Sequence, residues 1–118
     1  MNLERQLPPA FFETDPQAIA DYRSLIQELE AHGVKIVYVV PPLYQPLYDA
    51  NRAQFEQFLQ SMQTILPPAP LIDFTGPAYA VYNREPKNFS DGHHMSPYGA
   101  VEISRILDRK LRELLRSS

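Results

Sequence analysis

The run Gly33-Val34-Lys35-Ile36-Val37-Tyr38-Val39-Val40-Pro41-Pro42 decides the fold class. β-Branched residues dominate positions 34–40, which marks a strand. The run scarcely alternates with polar residues, as expected of a strand covered on both faces of a parallel sheet. Gly33 ends the preceding helical pattern by supplying a left-handed cap. Pro41-Pro42 ends the strand, because proline has no N–H to give the ladder.

Upstream of that strand, Ile19, Tyr22, Leu25, Ile26 and Leu29 recur at helical spacing. The helix is expected to begin at Thr14 or Asp15, with Pro16 in its first turn and Thr14 and Gln17 as a capping box. Residues 1–13 read as an extended N-terminal arm, extended because of Pro8-Pro9 and anchored by Phe11-Phe12. Residues 14–118 read as a single α/β domain.

Downstream, a loop rich in Tyr and Pro at 43–48 follows the carboxyl end of the strand, where open α/β sheets place ligands. A second helix is expected over 49–66, with Phe55, Phe58, Leu59, Met62, Ile65 and Leu66 as its core stripe. A short strand follows at 71–74 and a long irregular stretch at 75–95. The last helix is capped by Ser96, carries Pro97 in its first turn and turns Val101, Ile103, Ile106, Leu107, Leu111, Leu114 and Leu115 inward. Strands alternating with helices give an α/β fold with a few-stranded parallel sheet flanked by helices. Two strands are few for a stable sheet. The arm adds a strand, a second copy or another chain completes the sheet, or the chain is part of a larger domain.

Composition narrows the chemistry. The 118 residues are 44% hydrophobic and 21% charged, which suits one soluble folded domain. Cysteine is absent, which excludes a disulfide scaffold, a thiolate zinc site and a cysteine nucleophile. The net charge of -3 argues against a nucleic-acid partner. Residues 34–43, the most apolar stretch, are too short and too interrupted to span a membrane. The first nine residues carry Glu4 and Arg5 with no apolar run, so no signal peptide is expected. The compartment stays open.

Chemistry concentrates in Asn88-Phe89-Ser90-Asp91-Gly92-His93-His94-Met95-Ser96-Pro97-Tyr98-Gly99-Ala100. An Asp three residues before a His, across a glycine-containing turn, can bring its carboxylate to one ring nitrogen. That fixes the tautomer and leaves the other nitrogen as a base. The block resembles the last sequence block of the SGNH/GDSL hydrolase superfamily, an Asp-x-x-His just before the C-terminal helix with Gly-Ala a few positions on. The strand ending in Pro41-Pro42, the helix after it and the strand at 71–74 also resemble that family's C-terminal half.

The resemblance implies a partial flavodoxin-like, three-layer arrangement and an esterase or acyltransferase acting on an ester or acylated glycan. By resemblance, Asp91 orients and His94 is the catalytic base, while His93 falls between the matching positions. The family's Gly-Asp-Ser nucleophile block and its Gly-x-Asn-Asp block are absent from these 118 residues. The chain is therefore expected to be an acid–base half that is inactive alone. The alternative is a self-associating module, derived from that fold, without turnover.

Tyr44, Tyr48 and Tyr98, with His93, are candidate substrate-binding residues; the tyrosines either line a pocket or pack loops onto the sheet. Asp91, His93 and His94 are metal-ligand types. Adjacent histidines are expected to point apart, so no metal and no cofactor is expected. The cations of the last helix complement its dipole.

Overall fold

The computed structural model describes residues 6–116. Helix α1 (Pro16–Ala31) is capped by Asp15, whose side chain accepts the Gln17 N–H at 2.9 Å, so Asp15 takes the role expected of Thr14. Gly33 closes the helix with φ +80°, the left-handed geometry that only glycine adopts at little cost. Strand β1 (Tyr38–Val40) pairs in parallel with β2 (Leu71–Asp73), Tyr38 opposite Leu71 and Val40 opposite Asp73. The fold is a mixed α/β arrangement around this two-stranded parallel sheet.

The strand expected over 34–40 is shorter and barer than its composition implies. Only its last three residues join the sheet, and Val34 and Val39 stand 46% and 40% exposed. Its β-branched content reflects strand preference, but among the described residues the run is only partly covered. Among its described residues, 6–13, the arm does not supply a third strand. Pro9–Phe12 form one turn of 3-10 helix rather than extended backbone, and Phe12 packs edge-on against Phe55 at 5.1 Å.

The helix expected over 49–66 is two helices, α2 (Gln45–Ala50) and α3 (Arg52–Ile65). Asn51 breaks them apart with φ -129° and ψ 23°. Its fully buried side chain donates to the Leu47 carbonyl at 3.0 Å and accepts the Leu7 N–H at 2.7 Å. The same residue thus ends one helix and fastens the arm. The apolar stripe of α3 is not core, since none of its residues is buried and Phe58 and Ile65 remain more than a third exposed.

The stretch at 75–95 is ordered into short elements. A 3-10 turn (Pro77–Tyr79), helix α4 (Ala80–Arg84), a second 3-10 turn (Pro86–Asn88) and an antiparallel hairpin of β3 (Phe89–Asp91) and β4 (His94–Met95) follow one another. Helix α5 (Pro97–Arg116) ends the described chain. The core lies between α5 and these pieces: Ile72, Phe74, Tyr82, Phe89 and Ile103 are buried together, with Ile106, Leu107, Leu111 and Leu114 packed on them. Val101 and Leu115, expected inward, are half or more exposed.

A clasp positions α5 under the hairpin. Ser96 donates its backbone N–H to the Asn88 carbonyl at 2.9 Å, and its hydroxyl accepts the Gly99 N–H at 3.1 Å as the helix cap. Tyr82 donates its hydroxyl to the Gly99 carbonyl at 2.7 Å, and Asn88 donates its side-chain amide to the Tyr82 carbonyl at 2.9 Å. Burial, reinforced by Glu102, pushes the Tyr82 hydroxyl up to about 12, so it stays a neutral donor. A Cβ on Gly99 would sit 2.3 Å from the Asn88 carbonyl oxygen and 2.7 Å from the Asn88 Cα. Gly→Ala within a helix ordinarily stabilises by about 1 kcal/mol. Here Gly99→Ala is expected to destabilise by about 1–3 kcal/mol through overpacking against backbone, read as a lower urea midpoint.

Candidate functional site

The hairpin makes the site. Asp91 pairs with His94 across the ladder, and Gly92 and His93 form the two-residue turn between them. Asp91 Oδ1 accepts the His93 backbone N–H at 2.9 Å, which fixes the carboxylate at the mouth of the turn. His94 Nδ1 lies 2.8 Å from Asp91 Oδ2 and 3.0 Å from Oδ1. The carboxylate can only accept, so Nδ1 carries the proton and donates, and Nε2 is left as the basic nitrogen.

Partial burial acts to raise the Asp91 carboxyl, but the His93 N–H and the two histidine rings outweigh it and hold the group below the ordinary carboxylate range. Asp91 is therefore ionised at neutral pH. The His94 side chain is 65% exposed, so its ring is open to a reactant from outside.

Packing from α2 holds the turn. The Tyr44 N–H donates to the Gly92 carbonyl at 3.0 Å, and the Tyr44 ring lies 5.6 Å from Phe89. A Cβ on Gly92 would meet Leu47 Cδ2 at 2.6 Å, so glycine lets the turn sit directly on α2. Tyr44 thus serves the hairpin's backbone and core.

Beside the turn is an apolar cavity of about 250 Å³, walled by Phe11, Phe12, Tyr48, Phe55 and Leu59, with His93 also in its lining. Val40 and Pro41, at the carboxyl end of β1, open into it, as the topology of α/β sheets favours for ligands. Tyr48 stacks on Phe55 at 5.7 Å and carries the Arg52 guanidinium 5.1 Å from its ring centre. Burial, with the Glu56 carboxylate, raises its hydroxyl.

Of the residues singled out from sequence, Asp91, His93 and His94 come together, and Tyr48 and His93 share the cavity. Tyr44 packs the loop, and Tyr98 stands 69% exposed on the first turn of α5, outside the cavity. The aromatic wall from Phe11, Phe12 and Phe55 was not read as part of a site. The Phe11-Phe12 pair was its one visible signal.

The two adjacent histidines converge rather than diverge. Their ring centres are 4.2 Å apart, because the tight turn carries His93 back beside the strand that bears His94. One ligating atom from each of Asp91, His93 and His94 lies within 4.8 Å of the others. Among the described residues, no hydroxyl is hydrogen-bonded to His94. The Ser90 hydroxyl donates to the Met95 carbonyl, and that of Ser96 to the Lys87 carbonyl.

No family model, curated protein or solved structure matches the chain. The site's chemistry rests on its own geometry. Neutral histidine in water prefers the proton on Nε2. Nitrogen-15 NMR of neutral His94 is expected to show Nδ1–H instead, and Asp91→Ala to return the ring to the Nε2–H form.

Proposed function

We propose that Asp91 and His94 are the acid–base pair of an SGNH-type esterase or acyltransferase, with the nucleophilic serine supplied by a segment outside these 118 residues. The observation that carries this reading is the carboxylate on His94 Nδ1 at 2.8 and 3.0 Å, on a solvent-open ring. In this reading β1, β2 and their helices are the second half of a flavodoxin-like, three-layer sheet. Its first half carries the serine and the oxyanion donors.

His94 Nε2 takes the proton from the serine Oγ as the Oγ–carbon bond forms, and returns it to the departing alkoxide as the ester bond breaks. Asp91 stays ionised and stabilises the imidazolium. The cavity beside His93 suits the acyl part of an ester or acylated glycan. Without a positioned hydroxyl the base has nothing to activate, so the chain alone does not turn over esters.

A serine-directed fluorophosphonate tests this reading on the chain co-expressed with a serine-bearing strand segment from the same source. Labelling is expected on that serine, abolished by His94→Ala, with ester turnover lowered up to about 10⁴-fold by Asp91→Asn. Turnover indifferent to His94→Ala would sink the reading.

One observation favours the alternative, a self-associating module without turnover. Val39 is exposed on β1, whose only strand partner among the described residues is β2. Strand edges of this kind invite pairing. This reading predicts a dimer by light scattering that Val39→Lys returns to monomer; a monomeric wild-type chain would overturn it.

A further inference from the structure

The acid–base reading leaves His93 without a chemical role, yet its ring is held where a ligand would be. Its Nδ1 is 3.5 Å from Asp91 Oδ1, while His94 Nδ1 is 2.8 Å from Asp91 Oδ2. A zinc ion with bonds of about 2.0–2.1 Å to nitrogen and oxygen separates tetrahedral neighbours by about 3.3 Å. Measured from the single oxygen Asp91 Oδ1, His93 Nδ1 at 3.5 Å and His94 Nδ1 at 3.0 Å bracket that value, and one ligating atom from each of the three side chains lies within 4.8 Å of the others. All three side chains come from one four-residue stretch, and the Asp91 oxygen is already oriented by the His93 N–H at 2.9 Å. The side chains of His93 and His94 are 37% and 65% exposed, which leaves room for water in a further coordination position.

We propose that Asp91, His93 and His94 bind one divalent transition-metal ion of the zinc type at the hairpin turn. Two imidazoles and one carboxylate suit such an ion, whereas magnesium and calcium call for oxygen ligands. The ion takes the place of the proton that His94 Nδ1 shares with Asp91. The metal-bound state and the acid–base state therefore exclude each other, and binding silences His94 as a base. The proposal stands apart from the hydrolase reading, because its readout is binding of metal and needs no turnover.

The test is titration of the full, tag-free chain with cobalt(II) chloride, followed by its visible absorption. The expected result is one ion per chain with the intense bands of four-coordinate cobalt, displaced by zinc chloride and untouched by magnesium or calcium chloride. His93→Ala and His94→Ala should each weaken zinc binding about tenfold or more, since even outer-shell changes cost that much. His32→Ala, remote at the end of α1, should leave it unchanged. On the wild-type chain, zinc should shift the ring NMR signals of His93 and His94 and spare those of His32, which keeps the test independent of whether the variants fold. Absence of saturable binding, only the weak bands of six-coordinate cobalt, or zinc binding indifferent to both variants overturns the proposal. Failure here leaves fluorophosphonate labelling through His94 intact, and failure of labelling leaves the metal titration intact.

Discussion

The close approach of Gly99 to Asn88 is the constraint on which the rest of the ordered structure depends. It brings the first turn of α5 against the 3-10 turn that launches the hairpin, at a distance no side chain allows. Once that contact is made, the hydroxyls of Tyr82 and Ser96 and the amide of Asn88 satisfy the backbone groups around it. These bonds are buried or half-buried, where an unmade hydrogen bond costs most. The core of Ile72, Phe74, Tyr82, Phe89 and Ile103 forms on the side of the sheet that this clasp closes. Helices α1 and α3 bury far less: Ile26 is the one buried residue of α1, and α3 has none.

This asymmetry explains what the sequence made legible. Local signals were read well: the proline near the start of α1, the glycine at its end, the cap at Ser96 and the pairing of Asp91 with His94 each depend on neighbours a few residues away. Signals that assume a complete core misled. The run at 34–40 and the stripe from Phe55 to Leu66 have the composition of covered elements, yet composition does not report whether a covering layer exists. The break at Asn51 has no local signal that marks it, and one of the bonds that hold Asn51 comes from the arm's Leu7, 44 residues away in sequence. The short helices within 75–95 escaped because each is only three to five residues long, too short for a periodic pattern.

The candidate site divides along the same line. Asp91 and His94 were visible as a spacing, and the turn geometry that joins them is local. The convergence of His93 with His94 was not visible, because it depends on the twist of a two-residue turn seated on Leu47. The cavity's aromatic wall was hidden for a longer-range reason: it is assembled from the arm, α2 and α3 together.

A hairpin that pairs a carboxylate and an imidazole three residues apart has a further consequence. Closing so small a loop costs little chain entropy, and such hairpins form in microseconds. The carboxylate and imidazole are therefore brought within reach of each other at little entropic cost. One local segment thus supplies both groups, and what the rest of the fold adds is the seat on Leu47 that holds the turn.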